Sequence, residues 1–318
     1  MKRTLLLATL GLFAAAGTAR ADGETVAVFT KNQTNPFFAA ERVGAERAAA
    51  AMGAHVIQYV PTKPDSIPEQ LSEIDDVIVK KPSAVVFVPV DYKAMVPGVQ
   101  RLNAAGIPVV NVTDRGAGGD FVAFVGANDY DIAKLTAQRL MQAIGGKGKV
   151  IILEGVRGTL TAQDRLRGFK DAIAENPGVT LVASQPANYQ RLQGMQVMEN
   201  LLQAHPDVAG VLAANDAMAI GALDALADSG HSAQVIGINA TREAIDAIKA
   251  GKMLASGDYN GFLQGCIGTM IALRAARHES VPKNVALQVV VVDKSNYQPY
   301  AVPIEQRTCP KWEDVPQH

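Results

Sequence analysis

The chain has 318 residues, with 30 Lys and Arg against 31 Asp and Glu, and 48% of its side chains are hydrophobic. The near-neutral balance supplies no basic surface for nucleic acid, and the length suits two packed domains better than one. Five scattered histidines show no metal-ligand spacing, so no cofactor or metal is expected.

The first elements read as an export signal. Met1-Lys2-Arg3 supplies positive charge and Thr4 to Gly17 is apolar. That run falls short of the roughly 18 residues a spanning helix needs. Ala19-Arg20-Ala21 is an A-x-A cleavage site, so residues 1–21 are expected to be removed and the mature chain to begin at Asp22. The mature balance is then 27 basic against 31 acidic side chains, a net charge of about −4.

From there short apolar runs alternate with helix-period stretches. Strands are predicted at Val26–Phe29, Val56–Tyr59, Ala84–Val90, Val109–Val112 and Phe121–Val125, then at Val150–Glu154, Thr180–Ser184, Gly210–Ala214, Val235–Asn239 and Leu254–Asp258. Helices are predicted at Ala39–Met52, Glu69–Lys80, Ala94–Ala105, Asp131–Ala143, Gln163–Glu175, Arg191–Ala204, Ala217–Asp228 and Arg242–Ala250. A late helix, Phe262–His278, and a final strand, Val285–Val292, follow. Such alternation indicates an α/β fold with parallel sheets wrapped in helices. The second half repeats the first, with a boundary near Ala127-Asn128-Asp129. If the late helix returns to the first lobe and the chain then crosses back, three segments join the lobes as a hinge. The expected division is 22–127 plus 260–287 for one lobe, and 128–259 plus 288–318 for the other with its tail.

Polar and aromatic residues gather where strands end, the edge at which open α/β sheets bind ligands. They are Asn35, Phe37 and Phe38 after the first strand and Asp114-Arg115 after the fourth. In the second half they are Arg165, Asn188-Tyr189, Asn215-Asp216, Asn239 and Asp258-Tyr259. Carboxylates accept hydroxyl protons, guanidinium forks donate, and amides do both. Aromatic faces cover the CH side of a ligand. The set fits a neutral polyhydroxylated ligand. Each member also has an ordinary reading: Asn215-Asp216 as a helix cap, Asp114-Arg115 as a surface ion pair, Phe37 and Phe38 as a hydrophobic staple. Strand alternation lets only one of Asp258 and Tyr259 face the ligand. Cys266 and Cys309 admit two readings, a disulfide tying the tail to the body or two unpaired thiols, because the pairing depends on a Cα separation. Gly145-Gly146-Lys147-Gly148-Lys149 lacks the phosphate-loop pattern and reads as a turn, and no G-x-S-x-G elbow occurs.

Six motifs in order carry a resemblance: Asn35-Pro36-Phe37-Phe38, Thr113-Asp114-Arg115, Arg165-Leu166-Arg167-Gly168-Phe169, Ser184-Gln185-Pro186-Ala187-Asn188-Tyr189, Leu201 to Val208, and Asn215-Asp216-Ala217-Met218 through Ala222. Over residues 24–292 the chain resembles the periplasmic sugar-binding proteins of ABC transporters, the type I group typified by ribose-binding protein. The resemblance implies two flavodoxin-like lobes, a three-segment hinge, and a pentose or similar polyol held between them without a chemical step. It implies a periplasmic location, an ABC permease as partner, and a monomer. The family's sugar contacts map to Asn35, Phe37, Phe38, Asp114, Arg115, Arg165, Tyr189 and Asn215. Three positions depart: ribose binders usually carry Asp at Asn239, Gln at Tyr259 and Phe at Tyr189. The altered set points to a different pentose, a furanose or a sugar alcohol. The alternative within the same fold is a sensor that presents a sugar or an autoinducer to a chemoreceptor or kinase. The tail from Ser295 to His318 exceeds the family's short end.

Overall fold

A computed structural model describes residues 23–316; the predicted signal, residues 1–21, lies outside them. The first lobe opens as β1 (Thr25–Phe29), α1 (Pro36–Ala51), β2 (His55–Tyr59), α2 (Ile67–Lys80), β3 (Ala84–Phe87), α3 (Val96–Ala104), β4 (Val109–Val112) and β5 (Ala123–Gly126). The chain then crosses into α4 (Asp129–Ala143), β6 (Lys147–Glu154), α5 (Leu160–Ala174), β7 (Gly178–Pro186), α6 (Arg191–Ala204), β8 (Val208–Ala213), α7 (Asp216–Ser229), β9 (Gln234–Ile238), α8 (Arg242–Lys249) and β10 (Ala255–Asp258). It returns through α9 (Gly261–Ala276) and β11 (Asn284–Ala286), and crosses again to β12 (Val290–Asp293).

Two six-stranded sheets result, ordered β11-β5-β4-β3-β1-β2 and β12-β10-β9-β8-β6-β7. The first sheet is parallel throughout. In the second, only β12 runs antiparallel to its neighbour, β10. Strands Val26–Phe29 and Val85–Phe87 are wholly buried, because helices cover both faces of each sheet. Burying one such Val or Phe contributes about 1.5–3 kcal/mol.

The predicted strand Val285–Val292 is two strands in different lobes. The Leu287 amide donates to the Gly126 carbonyl, which ends pairing with β5, and Val290 then pairs with Asp258. Both stretches are β-branched and apolar, so local pattern cannot separate them. Of the segment predicted as a turn at Gly145–Lys149, Gly145 and Gly146 do turn, with positive φ, and β6 begins at Lys147. Three lobe crossings therefore lie after β5, after β10 and after β11.

The return of α9 to the first lobe rests on glycine. A Cβ on Gly44 of α1 would lie 2.1 Å from the Phe262 carbonyl oxygen, and one on Gly265 of α9 would lie 1.9 Å from that of Glu41. Only bare Cα atoms let the two backbones approach so closely.

Candidate ligand-binding cleft

The cleft between the lobes is built from strand ends. Asn35 caps α1 by accepting a hydrogen bond from the Phe37 amide at 3.1 Å, and Pro36 takes the first helical position. The helix therefore starts three residues before the predicted Ala39. That start puts Phe37 and Phe38 in its first turn, buried and edge-to-face with centroids 5.4 Å apart. Positive φ angles cluster at the same edges, at Thr113, Asn188, Tyr189, Asn239, Ala240 and Asn260. Non-glycine residues rarely adopt them, and such strain concentrates at functional sites.

The interlobe cavity is lined by Lys31, Asn32, Asn35, Phe37, Phe38, Asp65, Thr113, Asp114, Thr161, Arg165, Tyr189, Asn215, Asn239 and Tyr259. Nine of the eleven predicted ligand residues thus converge: Asn35, Phe37, Phe38, Asp114, Arg165, Tyr189, Asn215, Asn239 and Tyr259. Asn215 also caps α7, accepting from the Met218 amide at 2.9 Å, and donates to the Tyr189 carbonyl at 3.1 Å. Its cap role and its place in the cavity wall coexist.

Two predicted residues lie elsewhere. Arg115 is exposed, stacks 3.6 Å over the Phe124 ring centroid and donates to Asn284 Oδ1 at 3.1 Å. The turn after β4 sends Asp114 inward and Arg115 along the sheet edge. Asp258 lines a second cavity, where its Oδ1 accepts from the Asn260 amide at 2.9 Å. Tyr259 is the member of that pair in the cleft, as strand alternation requires of one of them.

Two ion pairs stand at the cavity, and a further carboxyl in its lining, Asp65, accepts from Asn32 Nδ2 at 3.4 Å and has its pKa raised by burial. Lys31 and Asp114 form an ion pair with both side chains almost wholly buried. Arg165 Nε donates to Asp129 Oδ1 at 2.9 Å, and Arg165 Nη1 to the Ala214 carbonyl at 2.7 Å. Burial works against the Arg165 charge, but Asp129 holds its pKa above the ordinary value. Burial raises the Asp129 carboxyl, opposed by Arg165 and reinforced by the negative charge of Asp114. The Tyr259 hydroxyl lies 2.8 Å from the Thr113 carbonyl oxygen and 2.9 Å from Asp129 Oδ2. It therefore links the first lobe to the second at the β10–α9 crossing. Its ring packs 5.7 Å from Phe37 and under the Arg165 guanidinium at 4.5 Å.

Two buried polar atoms here have no hydrogen-bond partner among the described residues, Asp114 Oδ1 and the Tyr189 hydroxyl. Such atoms are costly to bury unpaired, so they mark where a ligand's polar groups are wanted. Gly155 clears space for Tyr189, since a Cβ there would lie 2.5 Å from the tyrosine oxygen. The lobes are shut. Thr34 Oγ1 donates to Gln190 Oε1 at 2.8 Å, and the Tyr92 amide to the Gly158 carbonyl at 2.8 Å. The cavity left is about 30 Å³, room for little more than a water.

Sequence reasoning missed Lys31, Asn32, Asp65, Thr113 and Thr161 of the lining, and Asp129 behind Arg165. Lys31 had a signal: a lysine directly after a buried strand needs a buried counter-charge. Asp129 read only as a lobe boundary, since nothing local shows that it meets Arg165.

Two α/β lobes closed over a polar and aromatic cavity, with three crossings between them, define a hinged binding protein. The model of the periplasmic binding protein domain matches residues 26–280, and the chain belongs to that family. It is 31% identical over 272 residues to the ribose import binding protein RbsB of Salmonella typhimurium, covering 85% of this chain and 91% of the relative. It is 36% identical over 247 residues to the D-apiose import binding protein of Paraburkholderia graminis, covering 77% and 78%. Among solved structures, an ABC transporter periplasmic solute binding protein from Actinobacillus succinogenes with bound D-allose superposes with a TM-score of 0.83 at 34% identity. That match covers 87% of this chain and 100% of the other.

Proposed function

We propose that this protein is the solute receptor of an ABC importer and closes its lobes on a neutral sugar or sugar alcohol, a pentose-like sugar or a polyol. One observation carries the reading. The cavity combines two mutually offset ion pairs, Lys31–Asp114 and Arg165–Asp129, with two unpartnered polar atoms and an aromatic wall. Offset charge disfavours an ionic ligand, and hydroxyl groups satisfy Asp114 Oδ1 and the Tyr189 hydroxyl. The relatives that bind ribose and D-apiose support the ligand class. The lobes are shut over the cleft, so entry of a ligand requires them to part and then re-close around it. Closure then excludes water and strengthens each polar contact. A permease partner and a periplasmic site of action follow from this role. The relatives and the solved neighbour are named as binding proteins, and the reading invokes no chemical step.

Protein unfolded, refolded free of ligand and screened by thermal shift against pentoses, hexoses and polyols tests the reading. A true ligand at 100 times its Kd adds about 2.7 kcal/mol of stability. Absence of any stabilising sugar or polyol overturns it. Deletion of the gene then separates importer from sensor, since the importer reading requires loss of uptake of the identified ligand.

A further inference from the structure

The tail after β12 makes a fourth connection between the lobes. Cys266 of α9 is bonded to Cys309 of the tail, 43 residues later. The covalent ring so formed leaves the first lobe after β11, enters the second at β12, and returns to the first. On the second lobe the turn Gln298–Ala301 packs against α8, and Arg242 Nη1 donates to the Ala301 carbonyl at 3.5 Å. On the first lobe Arg47 of α1 donates to the carbonyls of Glu305 and Arg307. Trp312 lies under Arg274 of α9 at 4.2 Å, and Val315 is buried. Val302, Pro303 and Ile304 alone bridge these anchors, over a cavity of about 420 Å³ walled by α1 on one side and by Thr241 and Arg242 on the other.

We propose that residues 294–316 are a covalent strap that limits how far the lobes separate and slows release of the bound ligand. The reach of an extended chain is about 3.3–3.6 Å per residue. The four steps from Ala301 to Glu305 therefore span roughly 14 Å at most. Wider opening must break either the Arg47 contacts or the seat on α8. If the Arg47 contacts break and the seat on α8 holds, the eight steps from Ala301 to Cys309 set a limit of roughly 29 Å. If that seat breaks as well, the disulfide still limits the span to the sixteen steps from the end of β12 at Asp293. The closed form keeps every anchor at once, so the strap biases the lobes toward closure.

The inference rests on hinged opening, not on the identity of the ligand, and small-angle scattering of ligand-free full-length protein reads it directly. Two variants are compared with the wild type. One is Cys266→Ala with Cys309→Ala; the other keeps the disulfide and inserts a short Gly/Ser stretch between Val302 and Pro303. Both are expected to enlarge the radius of gyration of the ligand-free protein. With a sugar identified by thermal shift, both are expected to raise its dissociation rate several-fold. A disulfide that merely stabilises the first lobe would lower the melting temperature of the cysteine variant and leave the lengthened strap indistinguishable from wild type. That outcome, or an unchanged radius in both variants, overturns the proposal. A protein that no sugar stabilises, yet whose radius grows in both variants, keeps the strap and discards the ligand class.

Discussion

The ion pair between Lys31 and Asp114 couples stability to binding at a single contact. Removing one partner leaves the other charged and buried, which costs about 3–5 kcal/mol. Asp114→Ala is therefore expected to lose both ligand affinity and stability of the ligand-free protein. Adding Lys31→Met to Asp114→Ala removes the orphaned cation and is expected to restore the melting temperature but not the affinity. Recovery of binding in the double variant would place the ligand contact elsewhere. A second buried group sits just behind. Burial lifts the Glu41 carboxyl to about 8, with hydrogen bonding from Thr113 opposing the rise. Thr113 Oγ1 is 3.2 Å from Glu41 Oε2 and 2.8 Å from Gln264 Oε1, and its single proton can serve only one of them. A protonated Glu41 resolves this by donating to the hydroxyl, which donates to Gln264. Gln264 in turn donates to the Tyr259 carbonyl at the hinge. The folded pKa lies above the ordinary 4.5, so this group's stabilisation is complete below pH 4.5. It declines as pH rises toward 8, by up to about 1.4 kcal/mol per unit. Glu41→Gln is expected to flatten that part of the profile in urea unfolding measured from pH 4.5 to 8; an unchanged slope would mean that Glu41 is ionised in the fold.

At the scale of elements, the pairing of α1 with α9 decides the hinge. α1 carries the aromatic wall and α9 begins one residue after Asn260, so their separation sets where Phe37 meets Tyr259. Gly265→Ala pushes a methyl into the Glu41 carbonyl, and overpacking of this kind costs about 1–3 kcal/mol. The variant is expected to melt lower and to bind more weakly even though residue 265 lines neither cavity. Retained affinity at a lowered melting temperature would show that the cleft tolerates a shift of α9. Most strands and helices were legible because period and punctuation are local: Gly230, just past the helical run, ends α7 in the left-handed conformation. That Val285–Val292 forms two strands was not legible, although the expected division already passed from one lobe to the other at 287–288. A strand's partner is chosen by what lies beside it, and here β5 and β10 belong to different lobes.

For the whole molecule, the strap and the hinge act on one motion. Addition of saturating ligand to refolded protein is expected to lower the radius of gyration, because the cleft-mouth bonds Thr34–Gln190 and Tyr92–Gly158 form only on closure. An unchanged radius would argue for a rigid pocket. Which residues would meet was readable for most of the site, since every strand end of a parallel sheet faces the same edge. Phe37, Phe38, Asp114, Arg165 and Tyr189 follow from that rule and from family resemblance. The sequence alone determined two α/β lobes, the cleft edge and the polyol chemistry of its lining, because these depend on local periodicity and residue type. Only the tertiary structure decided that Arg115 and Asp258 stand aside, that Lys31 and Asp129 supply the counter-charges, and that Cys309 returns to Cys266. Apart from the local bond of Asp258 to Asn260, these are contacts between residues distant in the chain, and the distances that select them exist only once both lobes are packed.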